Sequence, residues 1–217
     1  MNQLIFNFPF KTNYFKEDFY VSSNNFEAYK LVESWPEWPS RFINIFGPSG
    51  CGKTHLANIL NKKINSLLIK ASDLKSNTIP AIKVKECIII DEYQNNIDEK
   101  LFYTVLSQCY LSNQYIIVNS LKPIQLFKAR LNDLKSRFSS FVNVGIDLPT
   151  DELIKVIISK NFSDKQVKID VKLLEYILKN IERSYKGIFD LIDRLDSFSL
   201  STGKSININL IKKALNK

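Results

Sequence analysis

Three cysteines, a single histidine and no C-x-x-C pair leave this 217-residue chain without the donors of a zinc site. Cys51, Cys87 and Cys109 are odd in number and widely spaced, so they read as reduced, buried thiols and not as a disulfide framework. Only 6 glycines and 7 prolines are present, which excludes collagen-like and low-complexity chains. No uninterrupted apolar run approaches the ~20 residues that a membrane helix needs. The apolar stretch Leu4–Phe10 is broken by Asn7 and Pro9 and has no basic residues ahead of it, so it does not read as a signal peptide. A cytoplasmic protein with no membrane partner is expected. The net charge is +8, but it is spread thinly. From Leu148 onward there are 13 basic and 9 acidic residues against 17 and 13 before it, so each part carries about +4 with no dense basic stripe. Diffuse charge of this kind predicts DNA contact that is indirect or weak.

What is present is an ordinary folded composition, 45% hydrophobic and 24% charged, long enough for one to two domains. Between Arg41 and Ile146, short β-rich runs alternate with helical patterns, the signature of a parallel sheet with crossover helices. The runs are Phe42–Phe46, Leu67–Lys70, Cys87–Asp91, Tyr115–Asn119 and Phe141–Gly145. The third is apolar almost throughout, as suits a strand buried on both faces. At Leu148-Pro149-Thr150 the pattern changes. Thr150 is placed to cap a helix whose first turn holds Asp151 and Glu152, with Leu153, Val156 and Ile157 as its apolar face. Helical periodicity recurs at Leu173–Leu178, Ile188–Leu195 and Leu210–Leu215. The fold class is therefore α/β, a parallel-sheet domain followed by a small all-helical domain of about 70 residues.

One motif carries clear chemistry. Gly47-Pro48-Ser49-Gly50-Cys51-Gly52-Lys53-Thr54 fits G-x-x-x-x-G-K-[ST], between a strand ending at Phe46 and a helix bearing Leu56, Ile59 and Leu60. The glycines let backbone N–H groups turn inward around phosphate oxygens. Lys53 supplies a point charge at the β/γ-phosphates, Thr54 a hydroxyl for Mg²⁺, and the helix N-terminus favours an anion. Asp91, at the end of the Cys87–Asp91 run, is suited to the Mg²⁺ shell, and Glu92 to orienting an attacking water. Asn119, ending the next strand, is placed either to contact a γ-phosphate or that water, or to satisfy a turn. His55 follows the P-loop directly and reads more readily as a packing or capping residue than as a base.

With these features the chain resembles an AAA+ module of the DnaA type. The markers are Asp18-Phe19-Tyr20-Val21-Ser22-Ser23-Asn24-Asn25, Gly52-Lys53-Thr54-His55-Leu56 and Leu134-Lys135-Ser136-Arg137-Phe138. The resemblance implies an adenine pocket at Val21 and Asn25, ADP or ATP with Mg²⁺ as ligands, and an arginine finger at Arg137. Within that group it is similar to the Hda family of DnaA-related regulatory inactivators. Trp35-Pro36-Glu37-Trp38-Pro39, Arg183-Ser184-Tyr185-Lys186 and Gln3-Leu4-Ile5-Phe6-Asn7-Phe8 carry that likeness. A full initiator would continue past the helical lid into a helix-turn-helix reader, which this chain, ending at Lys217, is expected to lack. The implied layout is a clamp-binding peptide at 1–12, a nucleotide-binding domain at 13–147 and a lid at 148–217. The implied partners are the initiator DnaA and the DNA polymerase III beta sliding clamp, and self-association with a second copy is compatible with it. Gln3, Leu4, Phe6 and Phe8 would engage the clamp as an extended peptide. Read from the residues alone, the period-two pattern Leu4, Phe6, Phe8, Phe10 describes an edge strand equally well.

Departures from the family pattern also matter. The lid arginine expected over the phosphates falls on Lys186, which keeps the charge but not the bidentate fork. An acidic sensor falls on Leu121, and an arginine four positions ahead of the finger falls on Asp133. These changes predict a module that holds nucleotide, ADP above all, more than it turns ATP over. The expected function is stimulation of DnaA's ATP hydrolysis through Arg137, which prevents re-initiation. The alternatives are a helicase-loader-like or DnaA-like ATPase hydrolysing its own ATP, a small P-loop kinase, and a clamp adaptor without an active finger.

Overall fold

The structure, a computed structural model, describes residues 14–167, 169–202 and 205–215. Its first compact unit spans Tyr14–Asp147 and is built on five parallel strands. These are β1 (Phe42–Phe46), β2 (Ser66–Lys70), β3 (Cys87–Tyr93), β4 (Tyr115–Ser120) and β5 (Val142–Gly145), in the order β2-β3-β4-β1-β5. The expected runs are recovered within one or two residues. Because side chains alternate along a strand, the even-numbered Phe42, Ile88, Ile90, Ile116 and Val118 share one face. That face packs with Phe102, Val105, Leu106 and Cys109 of α4 (Glu99–Leu111), Leu134 and Phe138 of α5 (Asn132–Ser139), and Ile82. The odd-numbered Ile43, Ile45, Ile89 and Ile117 are equally buried on the opposite face. The helices on that side are α1 (Phe26–Glu33) and α2 (Lys53–Lys63), which bury Leu31, Val32, Leu56 and Leu60. Double-sided burial explains why β3 and β4 are apolar without alternation. A polar hub survives in the sheet: Asn44 Nδ2 donates to the Val118 carbonyl at 2.7 Å and to Ser120 Oγ at 2.8 Å, while its Oδ1 accepts from Ile124 N at 2.8 Å. It pins the turn that leaves β4. Trp35, Trp38 and Tyr115 pack edge to face with ring centroids 4.6–5.4 Å apart, giving the Trp-Pro segment a packing role.

The second unit begins at Leu148. Its described residues form α6 (Asp151–Asp164), α7 (Val171–Asn180), α8 (Tyr185–Thr202) and α9 (Ile208–Ala214). Thr150 caps α6 as expected, its Oγ1 accepting from Leu153 N at 3.2 Å. Asp170 and Asn207 cap α7 and α9 in the same way. Ile154, Ile158, Phe162, Ile177, Ile188, Ile192, Leu195 and Ile211 form its core. No helix of the described residues is long and apolar enough to cross a membrane. Gln3, Leu4, Phe6 and Phe8 lie outside the described residues.

All three thiols are free and buried. Burial pushes Cys109 up to about 12, and Cys51 and Cys87 also lie above the ordinary thiol range. An aromatic disulfide reagent at pH 8 is therefore expected to label no thiol until denaturant is added. The sign for stability follows, because the unfolded thiols ionise first. Stability should fall as pH climbs above about 8.5, and native labelling with unchanged high-pH stability would contradict both expectations.

Candidate nucleotide-binding site

The turn from β1 into α2 is built by glycine chemistry. Gly50 and Gly52 adopt left-handed φ values of 82° and 100°, which L side chains rarely take. At Gly52 a Cβ would also lie 2.9 Å from the Phe19 ring, and at Gly47 it would lie 2.5 Å from the Ile146 carbonyl. The loop thus closes tightly on its surroundings, with Ser49 and Gly50 exposed and Pro48 half-buried at its rim. Lys53 Nζ donates to the carbonyls of Gly47 at 2.8 Å and Pro48 at 2.9 Å, folding its ammonium back over the loop. The Cys51 thiol sits beneath it at 3.6 Å.

Beside the loop, β3 and β4 deliver their carboxyl ends. Thr54 Oγ1 donates to Asp91 Oδ2 at 2.7 Å, and Asn119 Nδ2 donates to Asp91 Oδ1 at 3.0 Å. Asn119 Nδ2 also reaches the Lys53 carbonyl at 3.3 Å, and its own Oδ1 is buried without a hydrogen-bond partner. Asp91 is only 3% exposed, and both its oxygens face neutral donors. A buried carboxylate is normally paired with a cation or bound to a metal. No ion pair to Asp91 exists among the described residues, so a hydroxyl and a carboxylate converge where a hard divalent cation would be satisfied. The described residues hold no cluster of three or more His, Cys, Asp or Glu that could cage a metal. Mg²⁺ would have to share its shell with water and phosphate oxygens, which is its usual habit.

Other candidate residues fall elsewhere. Glu92 is exposed at a left-handed φ of 58°, where β3 departs from regular pairing with β4. Both its oxygens accept from Lys70 Nζ, at 3.0 and 3.2 Å. The Glu92 hydrogen bond and charge hold the Lys70 ammonium above the ordinary lysine range. Sequence reading missed Lys70, because its partner is set by the β2–β3 register that places it opposite Asp91. His55 donates through Nε2 to the Phe15 carbonyl at 2.7 Å and meets the Tyr14 and Phe19 rings edge on, each at 5.3 Å. Asn25 is buried: its Oδ1 accepts from Ser22 N at 2.9 Å and its Nδ2 donates to the Tyr20 carbonyl at 3.0 Å. It shapes the segment that presents the half-buried Val21. Arg137 is half-buried on α5 with its guanidinium over the Tyr110 ring, 4.5 Å from the centroid. Lys186 is exposed in the first turn of α8.

A five-stranded parallel sheet, a phosphate loop and a strand-borne acid beside it define a P-loop AAA+ module. Two family models match consecutive parts of the chain: one described as RNA helicase over residues 43–143, and the Hda lid domain over 151–215. DnaA from Buchnera aphidicola subsp. Baizongia pistaciae is 26% identical over 99% of this chain and 53% of its own length. DnaA from Borreliella afzelii is 24% identical over 95% and 48%. The chain thus spans about half the length of these relatives. Domain III of Thermotoga maritima DnaA superposes with a TM-score of 0.77 at 19% identity, over 96% of this chain and 98% of that one. AMPPCP-bound DnaA from Aquifex aeolicus gives 0.66 at 22%, over 88% and 67%. The chain thus has the fold of DnaA domain III, matches the Hda lid domain over residues 151–215, and is similar to DnaA over nearly all of its length.

Proposed function

We propose that this protein binds ADP or ATP and regulates replication initiation by stimulating ATP hydrolysis in DnaA. The observation that carries the reading is an Hda-type lid in the same chain as an arginine that no carboxylate of the described residues neutralises. In its own site, loop N–H groups and Lys53 hold the phosphates, while Val21 and the Asn25-braced segment receive the base. Mg²⁺, when bound through Thr54 and Asp91, supplies charge neutralisation at the phosphates. Arg137 acts in the partner's site, presenting its planar fork to the γ-phosphate as negative charge builds there. Leu121, in place of an acid, and Asp133, in place of an arginine, are both exposed and supply neither expected group, which suits retention of nucleotide over turnover. Gln3, Leu4, Phe6 and Phe8 tether the protein to the DNA-loaded sliding clamp, raising the effective concentration of an otherwise weak encounter. The protein therefore works in the cytoplasm, near DNA that it touches only indirectly.

The test is hydrolysis of ATP bound to the cognate DnaA, with and without this protein and with DNA-loaded clamp. Acceleration that needs the clamp and weakens in Gln3→Ala is expected. No acceleration under any of these conditions overturns the reading.

A second reading, an ATPase acting on its own nucleotide, draws on Asp91, Asn119 and Glu92 at adjoining strand ends. Here Lys70 holds the base back by geometry, since its ammonium occupies both oxygens of Glu92, which must leave the pair before they can orient a water. Lys70→Met is expected to raise intrinsic turnover by about 2–5-fold, the range of an exposed ion pair. Glu92→Gln should erase that gain, and fast wild-type turnover lost in Glu92→Gln would favour this reading over the first.

A further inference from the structure

Tyr110 is an exposed tyrosine at the end of α4, 57% accessible, yet its ring is not idle. It lies under the Arg137 guanidinium at 4.5 Å and is backed by Phe42 of β1, with centroids 6.4 Å apart. Phe42 is 6% exposed and packs edge on against Phe141 at 5.4 Å. A line of rings therefore runs from the sheet core to the arginine. On α5, Leu134 and Phe138 flank Arg137 in sequence and are fully buried, which fixes the backbone that carries it. The guanidinium makes no hydrogen bond or ion pair among the described residues. The ring engages its π cloud and leaves all five N–H donors unspent.

We propose that Tyr110 is a positioning residue for Arg137: it holds the guanidinium by a cation–π contact that leaves its N–H donors free for a triphosphate. This rests on the reading of Arg137 as a finger for a partner's nucleotide. A free arginine side chain at a surface samples many rotamers, and freezing it as it meets the γ-phosphate in the transition state costs entropy. A ring that selects the competent rotamer beforehand removes part of that cost. An acidic partner would do the same, but it would have to surrender the guanidinium to phosphate. The weaker, non-directional hold of a ring does not compete for the N–H fork. Cation–π attraction also strengthens when water is excluded, so the hold tightens as the two proteins close.

The experiment compares Tyr110→Ala, Tyr110→Leu and Tyr110→Phe with wild type in clamp-dependent stimulation of DnaA-bound ATP hydrolysis. The saturating rate and the half-saturating concentration are measured separately. Alanine and leucine are expected to lower the saturating rate by about 5–30-fold, with phenylalanine close to wild type. Leucine keeps apolar bulk without a π face, so it separates cation–π positioning from packing. Nucleotide binding and melting temperature should be unchanged, given the exposure of the ring. An unchanged saturating rate in both the alanine and leucine variants overturns the proposal, as does a change confined to half-saturation. Arg137→Ala run in parallel distinguishes the two levels. If it leaves stimulation intact, the finger reading falls and this proposal with it. If it abolishes stimulation while Tyr110→Leu does not, only this proposal falls.

Discussion

Arg137→Ala is expected to lower the stimulated hydrolysis of DnaA-bound ATP by roughly 10³–10⁵-fold, the range of trans arginine fingers. Clamp binding and nucleotide binding should be retained. The size of the effect follows from what the group would supply as the proposed finger: a permanent charge and a forked donor set, delivered only as the γ-phosphoryl group separates. Alanine removes both. Arg137→Lys restores a charge without the fork and should recover only a small part of the rate. The fold should tolerate the change, because the side chain is half-buried and contributes one ring contact. Single-turnover hydrolysis of labelled ATP preloaded on DnaA is the decisive measurement. Stimulation that survives Arg137→Ala would mean that the chemistry is supplied elsewhere.

The second large effect is expected at Lys53. Its ammonium bonds to the carbonyls of its own loop, so its removal disturbs little else in the fold. Replacing it by alanine removes a charge-assisted hydrogen bond to phosphate, and affinity for ADP and ATP should fall by about 10–100-fold. Equilibrium titration with a fluorescent adenine nucleotide gives the number, and the melting temperature without nucleotide should match wild type. If affinity holds, the loop binds its anion through backbone groups alone. If affinity and ligand-free melting temperature fall together, Lys53 is a strut of the fold.

The parts of this site that were legible in the sequence are those encoded by local order. Gly47–Thr54 is a continuous signature, and the structure gives it the left-handed glycines and the helix start that the motif requires. Strands were legible because β1, β3 and β4 are buried on both faces and spell apolar runs. Thr150 was readable because a cap acts on a residue three positions away. What stayed hidden depends on neighbours distant in the chain. Strand Cys87–Tyr93 extends past Asp91 through an exposed, left-handed Glu92, because a break in pairing with β4 lets it turn outward. Nothing local marks Lys70 as the partner of Glu92 or Tyr110 as the support of Arg137, since strand order and helix packing create both contacts. Asn25 is expected near the base, and its amide is engaged by the backbone of residues 20–22. The family markers point to the segment, and the hydrogen bonds show that this asparagine shapes it.

The triangle of Thr54, Asp91 and Asn119 joins the first turn of α2 to β3 and β4, segments that lie far apart along the chain. None of its corners has a neighbour until β1, β3 and β4 have assembled in register. Nucleotide therefore has no partial foothold on an incompletely folded chain and should act thermodynamically on the native state alone. At a hundredfold excess over its dissociation constant that is worth about 2.7 kcal/mol. For this module the cellular nucleotide pool would then act as a folding chaperone in the mass-action sense, and starvation for adenine nucleotides would expose the chain to proteolysis before any replication signal changed.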